Sequence, residues 1–129
     1  MTSFDVYIGD LDDPNFKQKD GNWSGNFPEQ LGPTFPWATD IAPIDIYLKV
    51  HALAESGKYP SAQTDWGCWV VTMTPNQILK FIDHVYGEGP IQVNDLTIKE
   101  GQTREDHDVR LFAESLDPSK KFGLVALES

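Results

Sequence analysis

Residues 66–87 constrain the fold more than any other part of the chain. Trp66-Gly-Cys-Trp-Val-Val-Thr-Met-Thr74 is its most apolar strand-like run. Large groups stand at both parities, so the run predicts a central strand covered on both faces. A helix signature follows at once. Thr74 is an N-cap, Pro75 takes N1 and Gln77 takes N3, which is a capping box with a helix-compatible proline. Ile78, Ile82 and Val85 make one apolar stripe, widened by Leu79, Phe81 and Tyr86, while Lys80, Asp83 and His84 take the wet side. Gly87 ends the helix as its C′ residue. Residues 67–90 carry only two acids and one base, the lowest charge of any stretch, so the core belongs here.

The flanking sequence reads mostly as strand and loop. Phe4–Ile8 alternates as a short strand, and Gly9–Asn15 is turn chemistry holding Asp10, Asp12 and Asp13. From Lys17 to Pro43 the prolines at 28, 33, 36 and 43 and the glycines at 21, 25 and 32 exclude a long helix or central strand. This stretch also holds Trp23, Phe27, Phe35 and Trp37, so it is expected to lie over the domain as a long irregular loop pinned by its rings. In residues 44–55, Ile44, Ile46, Leu48, Val50, Ala52 and Ala54 share one parity, the signature of a half-buried strand. A helix ending before Gly57 is the competing reading, since Leu, Ala, Lys and Glu favour helices. On the strand reading, Gly57–Asp65 is the loop of a wide hairpin. Strands are also expected at 91–93, 96–98, 109–116 and 122–128, the last two bracketing the turn Asp117–Lys121. The fold class that results is α+β. A mainly antiparallel sheet carries one principal helix, at about 75–86, on one face of a single domain spanning 1–129.

Charge bounds the function. Ten Lys and Arg face twenty Asp and Glu, a formal net charge of -10 on 129 residues. Such a chain is not drawn to nucleic acid or an anionic membrane by general attraction, whereas a basic protein is attracted to it. No run has the apolar length of a membrane span, and the first residues lack the basic and apolar regions of a secretory signal. Cys68 is the only cysteine, so an intrachain disulfide is impossible and a reducing cytoplasm is the expected home.

The candidate chemistry is thin. Arg104-Glu105-Asp106-His107-Asp108 is the densest polar cluster, and His107 beside acids has the makings of a metal ligand or general base. No HxH or HxxxH spacing supports it, and a solvated loop explains it as well. Asp10, Asp12 and Asp13 suggest calcium, but an EF-hand begun at Asp10 would place Pro14 and Asn15 at its fifth and sixth positions, and the match fails. Cys68 with His51 as its base is a nucleophile pair on paper, yet Trp66, Trp69 and Val70 around the thiol favour a buried, inert group. Neither a cofactor nor a metal is expected.

Trp23 and Trp37, on the proline-punctuated segment, are either lids on the core or anchors for a partner. Together with Asp10, Asp12 and Asp13 they form the candidate partner-binding set. The favoured function is a small acidic binding or inhibitor-type protein that engages a basic partner. An immunity protein or antitoxin covering a basic nuclease, or an anion-rich decoy, fits that physics. The alternatives are a small hydrolase-like enzyme built on His107 or on Cys68 and His51, and a subunit of a larger assembly.

Overall fold

A computed structural model describes residues 4–14, 16–19, 22–25, 27–37, 41–63, 68–87 and 105–128. In chain order the elements are β1 (Phe4–Asp10), β2 (Phe16–Lys19), β3 (Asn22–Gly25), β4 (Glu29–Gln30), α1 (Pro43–Glu55), β5 (Ser61–Gln63), β6 (Trp69–Met73), α2 (Pro75–Tyr86), α3 (His107–Ser115) and β7 (Phe122–Glu128). The seven strands form one sheet in the order β2-β3-β5-β6-β7-β1-β4. Its pairings are antiparallel except where β3 meets β5 at Asn22 and Gln63. The class is therefore α+β, as the sequence implies. The strands expected at 91–93 and 96–98 lie outside the described residues.

The centre of the sheet follows from composition. β6 and β7 register Val71 against Leu124 and Met73 against Phe122, and β7 registers Leu124 and Ala126 against Ile8 and Val6 of β1. These side chains point to one face, where Ile46 and Val50 of α1 and Ile78 and Ile82 of α2 pack on them. The alternate residues Tyr7, Cys68, Val70 and Val125 point to the other face and meet Phe16, Ala62 and Leu11. β6 is thus covered on both sides, as its two apolar parities require. Paired glycines leave room on the second face for neighbouring side chains. Gly9 stands opposite Gly123. A Cβ on Gly123 would come within 2.9 Å of Val70 and 3.0 Å of Leu11, and one on Gly9 within 2.9 Å of Pro28 and Val125.

α2 occupies the expected span. Thr74 Oγ1 accepts the Gln77 N–H (3.3 Å) and Gln77 Oε1 accepts the Thr74 N–H (2.9 Å), so the capping box is closed at both bonds. Gly87 terminates the helix at φ 97°, its N–H donating to the Asp83 carbonyl at 2.8 Å.

Three expectations are corrected. Residues 44–55 are helix α1 and not a strand. The even-numbered alternation there is two helical stripes superposed. Ile46, Val50 and Ala54 recur every four residues against the core, and Ile44, Leu48 and Ala52 recur every four residues on the outside. Two period-four series offset by two residues mimic period two. The end signals are helical as well. Pro43 takes N1, the Asp45 carboxylate accepts the Ala42 N–H at 2.9 Å, and Gly57 follows at φ 75°.

Residues 109–116 likewise belong mostly to helix α3, not to a strand, so three helices and not one principal helix stand among the described residues. Val109 and Ala113 are its buried pair at i and i+4. Lastly, the stretch expected to be irregular from 17 to 43 holds β3, β4 and all of β2 but Phe16. Beyond β4 the chain keeps to the edge of β1. The Leu31 N–H donates to the Ile8 carbonyl (3.0 Å) and the Phe35 N–H to the Val6 carbonyl (2.7 Å). Gly32, Pro33 and Thr34 bulge between, held by Gln30 Nε2 donating to the Gly32 carbonyl (2.7 Å) and Thr34 Oγ1 (3.1 Å).

Candidate interaction surface

Trp37 sits at the end of that edge segment. Its backbone is anchored from the core side. Phe35 is buried with its ring 5.9 Å from Phe81 and 6.5 Å from Tyr86, and the Tyr86 hydroxyl donates to the Pro36 carbonyl at 2.7 Å. Burial, aided by Asp106 and Glu105, holds that hydroxyl protonated far above the ordinary tyrosine range. The Trp37 ring itself is 70% exposed. So it is not a lid on the core, and a large ring is presented to water on a fixed stem. The side chain of Trp23, its expected companion, lies outside the described ones.

The acidic turn is built rather than loose. Asp10 Oδ1 accepts the Asp12 N–H at 2.9 Å, and Asp13 Oδ2 accepts the Glu29 N–H at 3.0 Å, which ties the turn to β4. Asp12 Oδ2 meets Lys120 Nζ at 3.1 Å in an exposed pair. The turn and Trp37 share one sheet edge but not one end of it. Asp10 pairs with Glu29, while Phe35 bonds at Val6, four residues back along β1, or about 13 Å at the strand rise. Trp37 lies beyond that point.

Near the Trp37 end, α1 and α2 enclose a groove of about 750 Å³. Ile41, Leu48, Ala52 and Leu53 line it from the α1 side, and Phe81 and Val85 from α2, with Asp45, Lys49 and His84 at its polar parts. Leu48 is 50% and Ile44 42% exposed, so the outer stripe of α1 continues the apolar lining onto the surface. Nothing in the sequence alone marks this feature, because it requires residues 43–53 to be helical.

The candidate catalytic residues are placed differently. Cys68 is 1% exposed, and its Sγ accepts the Glu128 N–H (3.4 Å) and donates to the Glu128 carbonyl (3.7 Å). It belongs to the face that carries Tyr7 and Val70. His51 is on the helical side, its ring 4.8 Å from that of Trp69 and its Nε2 2.9 Å from Glu55. Neighbours on an extended strand point to opposite faces, so Cys68 and Trp69, and with Trp69 His51, face opposite sides of β6.

His107 is exposed at the first turn of α3. Its neighbour Asp106 is buried and engaged by Arg110 through Nη2 (2.9 Å) and Nε (3.1 Å). Arg110 also binds Asp83 and the Gly87 carbonyl. That cluster clamps α3 to the C-terminal end of α2. No group of His, Cys, Asp and Glu among the described residues is disposed to hold a metal ion, and none of their helices is long and apolar enough to cross a membrane. No family model, curated protein or solved structure matches the chain.

Proposed function

We propose that this chain is a small acidic binding protein of the cytoplasm that acts by contact on a basic protein partner, in the manner of an inhibitor, immunity protein or antitoxin. One observation carries the reading: the Trp37 ring stands in water on a stem fixed by Phe35 and by the Tyr86 hydroxyl, on a chain of net charge -10. Charge speeds encounter with a basic surface, and a rigid aromatic ring slows departure.

Affinity capture from native lysate at low and high salt identifies the partner. Binding kinetics with the captured protein then separate the two effects. Asn in place of Asp10, Asp12 and Asp13 keeps the oxygens that hold the turn and removes three charges, so association slows and its salt dependence flattens. Trp37→Ala chiefly speeds dissociation. Association rates that match the native protein at both salts refute the steering role. Recovery of no basic protein, together with small-molecule turnover abolished by His107→Ala, refutes the binding reading as a whole.

A further inference from the structure

An ordinary surface helix needs one apolar stripe to hold it on its domain. α1 has two. Ile46 and Val50 hold it to the sheet, while Ile44, Leu48 and Ala52 face away from that contact. Leu48 and Ala52 also belong to the groove against Phe81 and Val85 of α2, so outer stripe and groove form one continuous apolar surface. We infer that this surface takes an amphipathic helix of a basic partner, laid with its apolar side on Leu48 and into the α1–α2 groove. The inference rests on the basic-partner reading, and adds the place of contact and the shape of the segment bound there.

Three features select that occupant. From Ile44 to Ala52 the stripe runs about 12 Å along α1, which suits apolar anchors spaced i, i+3/i+4, i+7 on a facing helix. Exposed carboxylates stand at both ends, Asp45 beside Ile44 and Glu55 past Ala52, about 15 Å apart along the axis. They favour Lys or Arg near both ends of the bound segment. Between them Lys49 stands at the groove, and among the described residues no carboxylate pairs with it, so a neutral or acidic residue suits the middle. A second copy of this chain is disfavoured, because association would oppose net charges of -10 on both sides.

The test uses the full chain with labelled Ile, Leu and Val methyls. The probes are a Leu/Lys amphipathic peptide, a Leu/Glu peptide with the same apolar face, and a Leu/Lys peptide scrambled to destroy that face. At physiological salt the Leu/Lys peptide is expected to shift the methyls of Ile44, Leu48 and Val85, and not that of Leu11 near the acidic turn. Leu48→Glu should weaken it about tenfold or more, while Leu111→Glu, at an exposed site on α3, leaves it unchanged. Ile44→Glu replaces Leu48→Glu if the latter fails to fold by circular dichroism.

Equal binding of the scrambled peptide, with shifts scattered over the acidic surface, overturns the groove and leaves the basic-partner reading standing. Equal binding of the Leu/Glu peptide at the same methyls keeps the groove as a helix site but overturns both the basic occupant and the basic-partner reading. A dimer in sedimentation that Leu48→Glu dissolves overturns the inference in favour of self-association.

Discussion

The helical assignment of residues 43–55 makes a prediction that a strand cannot share. Ile46 and Leu48 have the same parity, so on a strand they would face the same side and be buried alike. On α1 they lie about 200° apart around the axis at 100° per residue. Ile46 is 1% exposed among Val50, Val71 and other core side chains, whereas Leu48 is on the outside. Ile46→Ala removes a buried branched side chain and leaves a cavity, which costs about 2–5 kcal/mol. Fully burying a leucine contributes about 1.5–3 kcal/mol, so half of that at most, about 1 kcal/mol, is lost in Leu48→Ala. Alanine's higher helix propensity offsets a few tenths of it. The expected gap between the two variants is therefore about 1–4 kcal/mol. Urea unfolding followed by far-UV circular dichroism measures it, with the slope of the transition checked for constancy. Two equal losses would refute the two-stripe account of this segment, and with it the docking surface.

Thr74→Ala removes the Oγ1 that accepts the Gln77 N–H and should cost about 1 kcal/mol in the same assay; no measurable loss would mean that bond contributes nothing. Cys68 should resist a thiol reagent in native buffer and react once urea unfolds the chain; labelling within minutes without denaturant would contradict its burial. Tyr7 links stability to alkaline pH. Burial, then Cys68 and Asp13, push its hydroxyl up to about 12, and that hydroxyl donates to the Pro28 carbonyl. A raised folded value means that the contribution is complete below pH 10, the ordinary tyrosine value, and is lost as pH rises through about 12. At 1.36 kcal/mol per unit the lost contribution is at most about 3 kcal/mol, and solvent screening of the hydroxyl reduces it. Tyr47, raised by burial and then by Glu128, acts in the same direction. Tyrosinate absorbance should rise together with loss of ellipticity in this window; ionisation of all four tyrosines near pH 10 with the fold intact would refute it.

What the sequence made legible were features that close over a few residues. The Thr74–Gln77 box, the proline at N1 and Gly87 are local, and α2 follows them. Phe122–Glu128 is apolar at both parities and becomes a central strand between β6 and β1. The errors come where a periodicity is shared by two causes. In α1 the outer apolar stripe completes a false period of two, and Pro43 with Asp45 was the local sign that separates helix from strand. In α3 the sign was the four-residue spacing of Asp106 and Arg110, an ion pair that a helix closes and a strand does not. Its other partner, Asp83, is 27 residues away and has no sequence signature.

The candidate surface divides in the same way. A tryptophan on a proline-punctuated segment is visible in the sequence, but its exposure depends on Phe35 and Pro36 docking to α2. The acids of the 10–13 turn are visible too, but their work in the turn is not. Asp10 and Asp13 hold backbone N–H groups and Asp12 faces Lys120, so their charge reaches solvent with part of its field already spent. The turn also lies more than about 13 Å along the edge from Trp37, beyond the roughly 8 Å over which physiological salt leaves exposed charges coupled. The turn therefore acts on encounter through its three charges in the net -10, and not through contact with what Trp37 binds. Asp45 and Glu55 are instead the acids that flank the outer stripe of α1, so at the inferred groove charge and apolar contact share one helix, apart from the Trp37 ring.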